Sequence, residues 1–159
     1  MTPPLIISFG SVNIDVTARG TRLPAPGETI HAESYAIGLG GKGANQAAAA
    51  GRLGAAFGIQ SALAGRIGTD MFGEQAREAL TSFGVDLDGL REDPEGATGL
   101  ALINIDASAE NCITVIGGAN LRVDESDVRR AEPLFASASV LLLQPETPIR
   151  PVASAAPQA

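Results

Sequence analysis

The stretch GLGGKGANQAAAAGRLG, Gly38 to Gly54, decides how this chain is read. Glycines at 38, 40 and 43 form a G-x-G-x-x-G pattern, which carries Lys42 inside it and is followed by Asn45 and the alanines 47–50. Glycines before a helix let backbone N–H groups approach a ligand at the helix start, where the dipole favours oxygen-rich or anionic groups. A dinucleotide site needs, in addition, an acidic residue about twenty positions on to hold the ribose hydroxyl. Ser34 to Thr69 contains no Asp or Glu. A Walker A loop needs Gly, four residues, Gly-Lys and then Ser or Thr. Here Lys42 is followed by Gly43, and Ala36 stands where the first glycine belongs. A tight turn for helix packing explains Ala47 to Ala50 but gives Lys42 and Asn45 no task. Backbone N–H groups supplemented by those two side chains suit a polyhydroxylated ligand instead.

Working outward, LIISFGSVNIDV, Leu5 to Val16, reads as a buried parallel strand ending in polar residues. Asn13 and Asp15 lie two apart, so an amide and a carboxylate share one face of an extended chain. With the glycine segment they compose a site for a sugar or nucleoside. TRLPAPGETI supplies a turn at Pro24, Pro26 and Gly27, and IHAESYAIG reads as a strand of mixed exposure before the helix of the quoted stretch. FGIQSALAGRIG is a second buried strand. TDMFGEQAREALTSFG is an amphipathic helix with Met71, Phe72, Ala76, Ala79, Leu80 and Phe83 near helical spacing, Thr69 as its N-cap and Gly84 as its C′ residue. TGLALINID and NCITVI around ASAE predict a hairpin or a pair of neighbouring strands between Ala97 and Ile116. DESDVRRAEPLFAS is a short helix broken near Pro133, and VLLLQPETP is another buried strand. Strand and helix alternate, which predicts an α/β domain with a largely parallel sheet, helices on both faces and a small β appendage. After Glu146, Pro148, Pro151 and Pro157 predict an irregular, frayed tail. GGKGAN and GGAN echo each other, but the sequences around them do not, so there is no internal repeat.

The 159 residues are 45% hydrophobic, enough for one domain with a buried core. A formal net charge of -7 and no visible basic patch disfavour nucleic acid and membrane surfaces as partners. One cysteine, Cys112, forms no internal disulfide, and MTPPLIISFG lacks a basic n-region, so a reducing, cytoplasmic setting is expected. Within its apolar run Cys112 is expected to be a buried core thiol.

GSVNID, PAPGET, GGKGANQAAAAGRLG, GRIGTDMFGE, TGLALINID and LLLQPETP occur in the order and spacing of a known family. The chain resembles the ribokinase-like (PfkB) carbohydrate kinases as far as about Pro148, nearest to the ribokinase type. The resemblance implies a Rossmann-like three-layer α/β/α fold with a small β lid, drawn from about 16–38 and 97–117. It implies transfer of the γ-phosphoryl group of ATP, as its magnesium complex, to a sugar hydroxymethyl group, with D-ribose giving ribose 5-phosphate. Carried over position by position, Asn13 and Asp15 would hold sugar hydroxyls. Gly41, Lys42, Gly43 and Asn45 would wall the same pocket, with Glu146 at its edge. Lid pairing would make a homodimer.

The family's second signature, an Asp-Thr-x-Gly-Ala-Gly-Asp type segment carrying the general base, is absent. The ATP contacts and the loops for a monovalent cation also belong to that other half. Residues 1–147 are thus expected to be the N-terminal part of a kinase domain, and 148–159 a disordered Pro/Ala-rich tail. No catalytic residue or metal ligand is expected in this chain, nor strong ATP binding, nor activity by itself. The alternative is a non-catalytic module that binds a sugar or pairs through its lid.

Overall fold

In the computed structural model, which describes residues 3–158, the apolar run from Leu5 to Val16 is two strands rather than one. The elements in chain order are β1 (Leu5–Phe9), β2 (Asn13–Arg19), β3 (Ser34–Gly40), α1 (Lys42–Gly54), β4 (Gln60–Gly68), α2 (Met71–Ser82) and β5 (Val85–Asp86). They continue with β6 (Leu90–Asp93), β7 (Gly99–Ile105), β8 (Asn111–Ile116), α3 (Glu125–Phe135), β9 (Val140–Leu143) and α4 (Ile149–Ala155). Between β1 and β2 the Gly10 N–H donates to Ala64 O at 3.1 Å, and Ser11 O accepts from the Ala44 N–H at 2.9 Å. These bonds end one ladder and turn the chain into another. LIISF and the alternating NIDV both suit extended chain, so periodicity carries no sign of the change of sheet.

The main sheet runs β5-β4-β1-β9, with β6 on the end of β4, and every pairing in it is parallel. Alternate residues feed opposite faces. Ile7, Phe9, Ala62 and Ala64 pack with Val128, Ala131 and Phe135 of α3 and with Val152 and Ala155 of α4. The Phe9 and Phe135 rings meet edge to face at 5.8 Å. Leu63 and Ile67 point the other way, to Ala44 and Ala47 of α1 and Ala76 and Leu80 of α2. The three-layer α/β/α architecture expected from the sequence is therefore present.

Local sequence explains the helices and corrects four expectations. Asp70 rather than Thr69 caps α2, its Oδ1 accepting from the Gly73 N–H at 2.9 Å. Met71 is exposed, because it starts the helix on the solvent side. Gly84 follows α2 at φ +75°, as a C′ glycine does. α3 continues through Pro133, whose missing N–H would have bonded the carbonyl of exposed Arg129, which water can satisfy. The segment after Pro148 is a helix, α4, and not an irregular tail. Pro148 is its N-cap and Pro151 lies in its first turn, where N–H groups have no intrahelical partner, and Val152 and Ala155 are buried.

The second sheet runs β3-β2-β7-β8, with β2 and β7 parallel and the other pairs antiparallel. β7 and β8 form the expected hairpin. Cys112 is exposed, contrary to expectation, since β8 is the edge of a sheet with little packed against its outer strands. A buried ion cluster lies where the main sheet meets α3. Arg66 Nε reaches Asp127 at 2.7 Å, Nη2 reaches Asp124 at 3.0 Å and Nη1 reaches Asp93 at 3.3 Å. Asp93 is held down to about 2 by the Arg122 guanidinium and the Glu95 N–H.

Candidate functional site

The end of β1, the start of β2, the start of α1 and the turn after β9 converge on one place. Gly41 adopts φ +87°, open to glycine, and an added Cβ would lie 2.8 Å from Ser11 O and Asn13 N. Gly43 presses α1 against the Gly10–Ser11 backbone in the same way. Gly40 leaves room for the Asp15 carboxylate, which would overlap any side chain there.

Glu146 occupies the start of α1. Its Oε2 accepts from Ser11 Oγ at 2.6 Å and from the Lys42 N–H at 3.0 Å, and its Oε1 lies 2.9 Å from Lys42 Nζ. The Lys42 N–H also reaches Ser11 Oγ at 3.0 Å. Since Gly41 offers no capping side chain, a carboxylate from over one hundred residues away terminates the helix. Partial burial pushes the Glu146 carboxyl up, but bonds from Ser11 and Lys42 outweigh this and hold it below its ordinary value. Asp15 goes the other way, raised by burial and by the neighbouring Glu146 charge.

A cavity of about 200 Å³ opens here, lined by Ser11, Asn13, Asn120 and Glu146 with Val115 and Leu121. Asn120, in the 3-10 turn Gly118–Arg122, is 2% exposed. Its Oδ1 accepts from the Val12 N–H at 2.9 Å, and its Nδ2 donates to Val12 O at 2.9 Å and to Asn13 Oδ1 at 2.8 Å. The cavity thus combines the Glu146 carboxylate with the amides of Asn13 and Asn120 and the Ser11 hydroxyl, and the Lys42 ammonium stands beside it on Glu146.

Of the residues singled out from sequence, Asn13 and Glu146 line this cavity, while Asp15, Gly41, Lys42 and Gly43 are brought beside it without lining it. Asn45 does not line it either. It is exposed one turn along α1 and borders a separate hollow with Leu39, Ala48, Arg52 and Phe83. Sequence reading passed over Ser11 and Asn120. Ser11 sits inside GSVNID, between residues that were noticed, and Asn120 ends the GGAN that echoes GGKGAN.

The fit of a nucleotide can be judged at the glycine-rich helix start. Glu146 already fills it, and a phosphate there would meet a carboxylate instead of free N–H groups. The residues of this site do not fit an ATP phosphate. Among the described residues, no group of three or more His, Cys, Asp and Glu is placed to hold a metal ion. No helix among them is long and apolar enough to cross a membrane.

Residues 3–154 match the model of the family described as pfkB family carbohydrate kinase. A ribokinase of Haemophilus influenzae is 39% identical over 148 residues, covering 93% of this chain and 47% of that protein. Among solved structures, the ribokinase from Thermotoga maritima superposes with a TM-score of 0.87 at 28% identity, covering 98% of this chain and 50% of the other. Arabidopsis thaliana ribokinase complexed with ribose and ATP superposes with a TM-score of 0.79 at 36% identity, again covering 98% of this chain and 50% of the other. The chain spans about half the length of the curated relatives it matches.

Proposed function

This chain belongs to the pfkB family of carbohydrate kinases, and from that premise we propose that it holds the acceptor sugar of an ATP-dependent kinase. The sugar is D-ribose and the group presented for phosphorylation is its hydroxymethyl. The observation that carries this reading is a cavity lined by Ser11, Asn13, Asn120 and Glu146, with Lys42 and Asp15 beside Glu146 at its border. A sugar hydroxyl both donates and accepts, so neighbouring carboxylates and amides can each use it fully. Two carboxylates also disfavour an anionic ligand, which favours the free sugar over a sugar phosphate. Asn45 adds an amide from the open side of α1.

ATP, magnesium and a monovalent cation belong to this reading as partners of the complete kinase, and the Arabidopsis relative complexed with ribose and ATP supports the nucleotide. No step of phosphoryl transfer is assigned to residues of this chain. The 159-residue protein therefore takes ribose without turning over ATP. The second sheet serves as a lid over the sugar, and its exposed edge strands β3 and β8 support a homodimer made through it. Those same edges favour a second reading, a lid-pairing, sugar-binding module without catalysis. The lone cysteine fits a cytoplasmic setting.

Titration calorimetry of the 159-residue protein with D-ribose, fructose and adenosine, beside a coupled ATP-turnover assay, tests the proposal. Ribose binding that Asp15→Ala abolishes, without turnover, is the expected result. Absence of binding by any pentose would refute the sugar reading. Turnover by this chain would refute its division from the chemistry. Sedimentation of the same sample checks the pairing, and a monomer at all concentrations removes the dimer.

A further inference from the structure

Every polar atom of the Asn120 amide is committed, and the commitment is dictated by the backbone. The Val12 N–H can only donate, so the Asn120 atom facing it is Oδ1, and Val12 O can only accept, so the atom facing it is Nδ2. The second proton of that Nδ2 then points at Asn13, which must present its own oxygen in return. Gly99 permits this contact. A Cβ at 99 would lie 2.1 Å from Asn13 Oδ1 and 2.2 Å from Asn120 Nδ2, on top of the bond itself.

We infer that Asn120 is the positioning residue of this site, locking Asn13 with its Nδ2 turned into the cavity so that a bound hydroxyl is taken there through its oxygen. Asn13 is 6% exposed and lines the cavity, and its Nδ2 makes no hydrogen bond among the described residues. That donor is left for the ligand. The neighbouring carboxylates of Asp15 and Glu146 can only accept while ionised. A hydroxyl can therefore accept a hydrogen bond from Asn13 and donate one to a carboxylate. With the amide reversed, the site would present another acceptor beside two carboxylates, and the hydroxyl oxygen would lose its donor. Asn120 also bonds Val12 between β1 and β2, so the same residue helps fix where the chain passes from the main sheet to the second. The orientation of Asn13 stands on the hydrogen bonds alone, and its use for a hydroxyl rests on the sugar-holding reading above.

Side-chain amide exchange in the ¹⁵N-labelled 159-residue protein tests the orientation directly. The Asn120 amide protons should be protected, with those of Asn13 exchanging at least about tenfold faster, because only the former are bonded within the protein. Adding D-ribose should shift and protect the Asn13 pair. In Asn120→Asp the carboxylate cannot donate, so Asn13 should turn over to donate to it. Its amide protons then become protected without ligand, and ribose affinity falls about tenfold, the worth of one hydrogen bond. Loss of overall stability alone would not protect the Asn13 amide, so this readout separates positioning from scaffolding. Protected Asn13 protons in the wild-type protein would overturn the inference without any variant having to fold. Unchanged ribose affinity in a folded Asn120→Asp would overturn it as well. Wild-type protein that ignores ribose yet shows the exchange contrast would sink the sugar reading and uphold the orientation.

Discussion

Replacing Gly43 by alanine should destabilise the protein by about 2 kcal/mol, while the same change at Gly38, in the same G-x-G-x-x-G pattern, should not. A Cβ at 43 would stand 2.6 Å from the Gly10 carbonyl carbon, 2.7 Å from Ser11 N and 2.8 Å from Ser11 O, all backbone atoms that cannot rotate aside. Ordinary contact begins at 3.4 Å, so α1 would have to withdraw by roughly 0.8 Å. That stretches the bonds from the Ala44 N–H to Ser11 O and from the Lys42 N–H to Ser11 Oγ, now 2.9 and 3.0 Å. Overpacking costs about 1–3 kcal/mol and the weakened bonds up to about 1 kcal/mol, against about 1 kcal/mol gained from helix propensity. The net loss corresponds to roughly 4–8 °C in Tm for a domain of this size. At Gly38 an added Cβ meets nothing within 4 Å and φ is not positive, so Gly38→Ala should leave stability unchanged or raise it by up to about 1 kcal/mol. Urea denaturation followed by circular dichroism reads both, and ribose calorimetry shows whether moving α1 disturbs the site. A Gly43→Ala protein within about 0.5 kcal/mol of wild type, or a Gly38→Ala loss of similar size, would refute the steric reasoning.

Arg66→Met should cost about 3 kcal/mol in the same denaturation assay, because it removes the nearest counter-charge of the buried Asp127 carboxylate and leaves Arg91 at 3.6 Å, and Asp127→Asn added to it should recover part of the loss. No recovery in the double variant would show that packing, and not charge, sets the cost. The two site carboxylates should show opposite pH dependences. Glu146 is lowered in the fold, so its contribution is present above its ordinary 4.5 and is lost as pH falls through the lowered value; Glu146→Gln should be less stable than wild type at neutral pH, with the gap closing in acid. Asp15 is raised, so stability is lost as pH rises from its ordinary 3.8 through the raised value. Asp15→Asn should gain on wild type across that window while losing ribose binding. Denaturation midpoints measured from about pH 3 to 7 check both, and parallel profiles for the two variants would contradict the assignment.

Much of this was legible because the signals were local. The glycine segment is where backbone approaches backbone, and the Asn13 and Asp15 spacing does put both side chains on one face of β2. What stayed hidden depended on the topology. No pattern in LIISFGSVNIDV separates β1 from β2, since the apolar LIISF and the alternating NIDV both read as strand and the break is made by bonds to Ala64 and Ala44. An apolar run around Cys112 suggested burial, yet it forms the edge of the second sheet. Prolines after Glu146 suggested disorder, but they fall where a helix start tolerates them. Asn120 is distant from Asn13 in sequence, and only the folded 3-10 turn makes them neighbours.

The link from Gly10 to Val12 has a mechanical consequence. Ser11 is tied to the main layer through Ala44, and Lys42 and Glu146 belong to that layer as well, whereas Asn13 and Asp15 ride on the first turnings of the second sheet. A molecule touching both sets would bridge the two sheets at the place where they already share one core, through Val12 and Ile14 against Ala44 and Leu63.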